Sequence, residues 1–207
     1  MDPTGEPDPS EQTGLVLHPQ TPRSLRVHDS ALHATRELLH EGGLAAATID
    51  AIAGRSGVSK ATLYKHWPSR IAIAAEAFGR DMAQAVPASD TGTTVGDLRD
   101  QVRRTSAFYA SPEGTVFREL VAACVVDAGG AAYFRAYFLA ARRRSWERMW
   151  ARGVERGDVR ADVDADTATD LLFGPLLFRL MTGHRPLSDE GADAITDAAL
   201  HGLLPAT

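Results

Sequence analysis

From Ser24 onward, apolar side chains recur every three or four positions, the period of a helix face. Val27, Ala31, Thr35 and Leu38, with Leu32 and Leu39 beside them, predict a first helix over Ser24 to Glu41. Gly42 and Gly43 interrupt it. Thr48 is a good N-cap for a short second helix carrying Ile49, Ile52 and Ala53. Gly57 ends that helix, because a left-handed C-terminal residue is cheapest as glycine. Ser59 caps a third helix, Lys60 to His66, which stops before Pro68. Within it Leu63 and Trp67 are four apart and face inward, leaving Lys60, Thr62, Tyr64, Lys65 and His66 outside. From Ser69 a fourth helix presents Ile71, Ala74, Ala75, Phe78 and Met82, and runs to Pro87.

The remaining chain is also helical in pattern. Residues 87–96 read as a loop, followed by a helix to Ala110 with Leu98, Val102, Thr105 and Phe108 on one face. Ser111-Pro112-Glu113 restarts a helix bearing Phe117, Leu120, Val121, Cys124 and Val125. Asp127 to Gly130 breaks it, and a long helix over Ala131 to Arg156 is expected. Asp164 or Asp166 caps the next, which is apolar almost all round from Leu171 to Met181 and so needs cover on more than one side. Its Pro175 costs about 3 kcal/mol inside a helix, so packing or function must retain it. A last helix starts at the Ser188 cap, with Ala192, Ile195, Ala199 and Leu203 as its stripe.

Composition narrows the class. A chain of 207 residues with 44% hydrophobic and 24% charged residues is long enough for a small and a mid-sized domain. No apolar run reaches transmembrane length, and the first residues lack a basic-then-apolar signal segment. The single Cys124 fits a reducing compartment, so a cytoplasmic protein without membrane contact is expected. Residues 1–22 hold five of the eleven prolines and four acids without Lys or Arg, the composition of a disordered tail. The net charge of −5 hides an uneven distribution. Residues 23–70 carry seven Lys or Arg against four acids, and both lysines, Lys60 and Lys65, lie on the third helix. Local field rather than total charge steers a polyanion. At the start of the first helix, Arg23 and Arg26 suit either phosphate contact or plain solvation.

Two short helices joined by a glycine turn, the second with a polar outer face, fit a helix-turn-helix laid in the major groove of DNA. Lys60 and Thr62 are suited to base edges, and Tyr64, Lys65 and His66 to phosphates. The run GVSKATLYKHW-PSR, with the Thr48-Ile49 helix start, Ala53 and the Gly42-Gly43 turn, resembles the DNA-binding domain of tetracycline-repressor regulators over residues 24–80. It departs from that pattern at Trp67, where Phe is usual, and at Arg70, where Lys is usual. Both substitutions keep an aromatic core plug and a phosphate-binding cation. The resemblance implies that Lys60, Ala61, Thr62 and Tyr64 approach bases or adjacent backbone, and that Thr48, Tyr64, His66 and Arg70 hold phosphates, with Ser59 opening the helix.

The expected architecture is therefore all-α. It comprises a tail over 1–22, a three-helix DNA-binding domain over 23–70, and a helical ligand-binding and dimerisation domain over 71–207. The expected partners are double-stranded DNA, a small-molecule inducer and a second copy of the chain, bound through the last two helices, about residues 164–204. A repressor released by its ligand is the leading reading; an activator, or a ligand-binding protein with a non-functional helix-turn-helix, is the alternative. Family members bind ligands among the middle helices, where Phe108, Tyr109, Phe117, Cys124, Tyr137, Trp146, Trp150, Phe173 and Leu177 are the candidates. Their lining would favour a hydrophobic or aromatic ligand. Arg142, Arg143 and Arg144 point in different directions on one helix and read as a solvated face, with Arg143 paired to Glu147. Nucleophile elbow, phosphate-cradling glycine loop, HExxH and Cys/His ligand pairs are absent, and His28, His33 and His40 lack i,i+4 spacing, so neither catalysis, cofactor nor metal is expected.

Overall fold

The computed structural model describes residues 21–203, except the side chains of Tyr137, Ala141 and residues 201–203. The expected tail lies almost wholly outside the described residues. Those described are helical, without strands. The helices are α1 (Pro22–Ala46), α2 (Ile49–Ser56), α3 (Lys60–His66), α4 (Arg70–Ala85), α5 (Thr94–Ala110), α6 (Pro112–Val126) and α7 (Ala128–Tyr133). A π-helical turn over Phe134–Leu139 leads into α8 (Ala140–Arg156), followed by α9 (Ala165–Thr182) and α10 (Asp189–Leu203). The long helix expected from Ala131 is thus broken by a wider turn, in which Phe134 and Phe138 stack at 4.7 Å.

The chain falls into two compact units. The first joins the residues up to Arg80 with Glu119–Phe138, and the second joins Asp81–Arg118 with the residues from Leu139.

In the first unit, α1 turns sharply where Gly43 takes φ 64° and ψ −161°, a backbone state open in practice only to glycine. Glu119 occupies the outside of that turn. Its Oε2 accepts from the Leu44 N–H at 2.8 Å, while Arg70 donates to the Leu44 carbonyl at 2.7 Å. The apolar stripe of α1 packs against α2, and α2 against α3. Helix α4 is buried continuously from Ile71 to Phe78, including the charged Glu76.

In the second unit, α5 is the central element, packed against α8, α9 and α10. Thr93, Asp164 and Ser188 supply side-chain caps for α5, α9 and α10. Arg99 pairs with Asp197, and Arg103 with Asp193 at 2.6 Å, tying α5 to α10. Helix α9 has two unlike faces. Ala168, Leu172, Leu176 and Leu180 are buried. Leu171, Gly174, Pro175, Phe178 and Met181 stand exposed, Leu171 at 48% and Phe178 at 60%. The interior proline therefore lies on the exposed stripe. Val125, expected on the apolar stripe of α6, is also exposed, in the last turn before Asp127 opens α7. Among the described residues, no helix is long and apolar enough to cross a membrane.

Candidate nucleic-acid interface

The turn between α2 and α3 is built from local chemistry. Thr48 Oγ1 accepts from Ala51 N at 3.1 Å and opens α2. Gly57, left-handed at φ 69°, closes it by donating to the Ala53 carbonyl at 3.0 Å. Two residues on, Ser59 Oγ accepts from Thr62 N at 3.2 Å and opens α3. Val58 is buried in the corner. Leu63 and Trp67 anchor α3 with no exposed surface, as their spacing predicts.

The outer face of α3 is then fixed by helix periodicity. Lys60, Ala61, Tyr64 and Lys65 are exposed, Tyr64 at 52%. Thr62 is half-buried, its hydroxyl 2.9 Å from that of Ser59. Lys60 forms an ion pair with Asp50 of α2. Both side chains are more than half exposed, and such a pair contributes about 0–1 kcal/mol, too little to withhold the ammonium from a phosphate or base. Thr48 is exposed at the start of α2, and Arg70 is half-buried, one N–H committed to Leu44.

His66 corrects the expectation of an exposed residue. It is only 5% exposed. Three positions after Leu63, it shares the inward face, where its ring lies 5.3 Å from that of Trp67 and its Nδ1 3.5 Å from Nδ1 of His28. The spacing from Leu63 carried that information, but the polarity of the side chain masked it.

Behind α3 lies a buried polar cluster that apolar patterning missed. Glu76 Oε2 accepts from Trp67 Nε1 at 2.8 Å and from the Tyr133 hydroxyl at 2.9 Å. Its Oε1 lies 2.6 Å from His28 Nε2 and accepts from Arg80 at 3.1 Å. The His28 ring stacks on Trp67 at 4.5 Å. Burial alone would raise the Glu76 carboxyl; hydrogen bonds from His28, Trp67 and Tyr133 outweigh it and hold the pKa below the usual Glu value. One carboxylate thus ties α1, the end of α3, α4 and α7 together. A glutamate inside an eight-residue buried run was the available signal.

Residues 31–77 match the family model for bacterial regulatory proteins of the tetR family, and residues 88–199 match the tetracyclin repressor-like C-terminal domain. The chain belongs to the tetR family. A relative named as an uncharacterized HTH-type transcriptional regulator, YdeS of Bacillus subtilis (strain 168), is 35% identical over 182 residues, spanning 88% of this chain and 92% of that protein. Among solved structures, the TetR family transcription regulator SCO0332 is similar at a TM-score of 0.77 and 34% identity, covering 87% of this chain and 100% of that one. The flavonoid-responsive regulator FrrA shares the fold at a TM-score of 0.61 and 24% identity, over 88% of this chain and 99% of its own. The protein is thus an all-α, DNA-binding transcription regulator of the tetR family.

The residues expected to line a ligand site separate into groups. On α5, Phe108 and Tyr109 are buried, and Tyr109 stacks on Phe117 of α6 at 5.1 Å. Trp146 and Trp150 are buried on α8, where Trp146 meets half-buried Phe173 of α9 edge-on at 4.5 Å. Leu177 lies one turn beyond Phe173, also half-buried. Trp150 Nε1 donates to the Val163 carbonyl at 2.9 Å. Cys124 belongs to the first unit, half-buried, its thiol pushed up by burial and by Asp127. The Tyr137 side chain lies outside those described. A surface pocket of the second unit is lined by Ala88, Gln101, Ser145, Trp146, Met149 and Arg152, among others, and takes in Trp146 of the expected set. Arg143 departs from expectation: it pairs with Asp166 and, at 3.2 Å, Asp170, because α9 brings acids closer than Glu147.

Proposed function

We propose that this tetR regulator is a homodimeric repressor that grips a near-palindromic operator with α3 and leaves it when a small organic effector occupies the second unit. The observation that carries the reading is α3 itself: a capped helix anchored by fully buried Leu63 and Trp67, presenting Lys60, Ala61, Tyr64 and Lys65 outward. Lys60, Ala61 and Thr62 face base edges, and Tyr64, Lys65, Thr48 and Arg70 hold phosphates. His66 acts from the core, through Trp67 and His28, rather than on phosphate.

One seven-residue helix touches too few base pairs for useful specificity. Two of them, related by a two-fold axis, reach half-sites about 34 Å apart. The exposed stripe of Leu171, Phe178 and Met181 on α9, beside small Gly174, supplies the self-complementary apolar face that a dimer needs. For an effector to release DNA it must bind the DNA-incompetent state better.

The test is binding of the purified protein to duplex DNA from around its own gene, titrated in salt against random duplex. A footprint on a near-palindrome, with at least about a thousandfold preference over random duplex, is expected. Equal, weak, salt-sensitive binding to both duplexes, or none, overturns the repressor reading.

A further inference from the structure

Several arginines of the second unit are set against carboxylates: Arg99 on Asp197, Arg103 on Asp193, Arg143 on Asp166 and Asp170, Arg156 on Asp158. Arg142 is not. It is half-buried on α8, one residue and about 100° around the helix from Arg143. Its hydrogen bond runs from Nη1 to the Val86 carbonyl at 3.2 Å, and among the described residues no carboxylate pairs with it. Burial pulls its guanidinium below the usual value, and the nearby Tyr109 phenol acts the other way.

That phenol is buried too, stacked on Phe117, and burial drives it far above the usual tyrosine value, so it is a neutral O–H donor. One turn earlier on α5, on the same face, Thr105 is 1% exposed and its Oγ1 has no hydrogen-bond partner. Helix α5 packs on α8, where Gln101 of α5 shares a pocket wall with Ser145, Trp146 and Met149. Gln101, Thr105 and Tyr109 follow one stripe of α5, and Arg142 lies one turn before Trp146 on α8. A guanidinium without an anion, a buried phenol and an orphaned hydroxyl make a surplus of donors. Such groups cost stability unless something supplies the acceptor.

We propose that Arg142, Tyr109 and Thr105 form a subsite for the carboxylate of the effector, and that the effector is an organic monocarboxylic acid whose apolar body lies against Phe117. This rests on the effector reading above and gives it a chemical class. The planar fork of Arg matches a carboxylate in two parallel hydrogen bonds. A single cation balances one charge, which favours a carboxylate over a doubly charged phosphate.

The experiment uses the full-length protein and the probes benzoate, phenylacetate and octanoate, each against its neutral amide, followed by calorimetry and thermal shift over a chloride background. At least one acid binds saturably and its amide at least about tenfold more weakly, since charge-assisted hydrogen bonds are roughly twice as strong as neutral ones. R142Q removes that preference, and T105V, which keeps the shape of Thr105 and removes its unpaired hydroxyl, weakens the acid several-fold while thermal stability without ligand stays level or rises. T105V keeps the test sharp if R142Q folds poorly. If none of the three acids outbinds its amide, or R142Q and T105V both bind the acid as wild type does, the subsite is wrong. Operator DNA separates the two readings. An acid held by Arg142 that fails to release the operator keeps the subsite and sinks the inducer role. A neutral effector that releases the operator equally from R142Q does the reverse.

Discussion

At the scale of single residues, Glu76 is where the end of α3 meets the core. Its carboxylate accepts from Trp67 and Tyr133 and pairs with His28, so an amide there would turn a donor toward groups that themselves donate. Glu76→Gln is expected to destabilise the first unit by about 3 kcal/mol, the scale for breaking a buried pair from one side. The pH dependence follows from the depressed pKa. The stabilisation is fully present above the unfolded Glu value of about 4.3 and disappears as pH falls through the lower folded value. Wild type should therefore lose stability across that acid window, and Glu76→Gln should lose less over the same window. Urea titrations at pH 7 and at a series of acid pH values decide it; identical acid limbs would remove Glu76 from the account. On the outer face the expectation is different in kind. Lys65→Ala should weaken binding to all duplexes and lower the salt slope by about one unit, whereas Thr62→Ala should relax preference at one base position. Binding measured at several salt concentrations on matched and point-changed duplexes separates the two.

Among the elements, the two positive-φ glycines of the first unit bear unequal loads. Nothing lies near a Cβ added at Gly57, so Gly57→Ala carries only the cost of a left-handed alanine, about 1–2 kcal/mol. At Gly43 a Cβ would stand 2.7 Å from Glu119 Oε2, and ψ is also one that only glycine adopts. The strain of about 1–3 kcal/mol is then joined by loss of the Glu119 bond to Leu44, worth about 1 kcal/mol. Denaturant midpoints of the two variants should rank Gly43→Ala as the less stable; equal midpoints would mean that Glu119 yields freely. The contrast also shows what a sequence can reveal. Thr48, Gly57, Ser59 and Asp164 act on backbone groups within four residues, so caps and turns were legible. Glu119 acts 75 residues away on Leu44, and Glu76 acts 48 away on His28. No local pattern announces those pairings. The same distance explains why residues 119–138 group with the first unit. His66 failed for another reason: an imidazole is polar enough to read as surface and flat enough to stack in a core.

For the whole molecule, the decisive feature is the exposed stripe of α9. A helix that buries Leu172, Leu176 and Leu180 on one side has satisfied its own unit, yet it also presents Leu171, Phe178 and Met181 to solvent. Scattered apolar residues on a surface need no explanation, but three at helical spacing around a Gly-Pro step form a continuous face. If that face is where two copies meet, a charge placed in it must enter the interface without a partner, at several kcal/mol per copy. Phe178→Glu should therefore yield a monomer in analytical ultracentrifugation. Phe178 is already 60% exposed in the single chain, so the fold and thermal stability of each unit should change little apart from the contribution of dimerisation itself. Operator affinity should fall at least about a hundredfold, because each copy then holds one half-site alone, while affinity for an isolated half-site stays near that of wild type. A Phe178→Glu protein that remains dimeric would place the interface elsewhere. One that is monomeric yet binds the full operator as tightly as wild type would show that a single α3 suffices, and the two-fold reading of the operator would go with it.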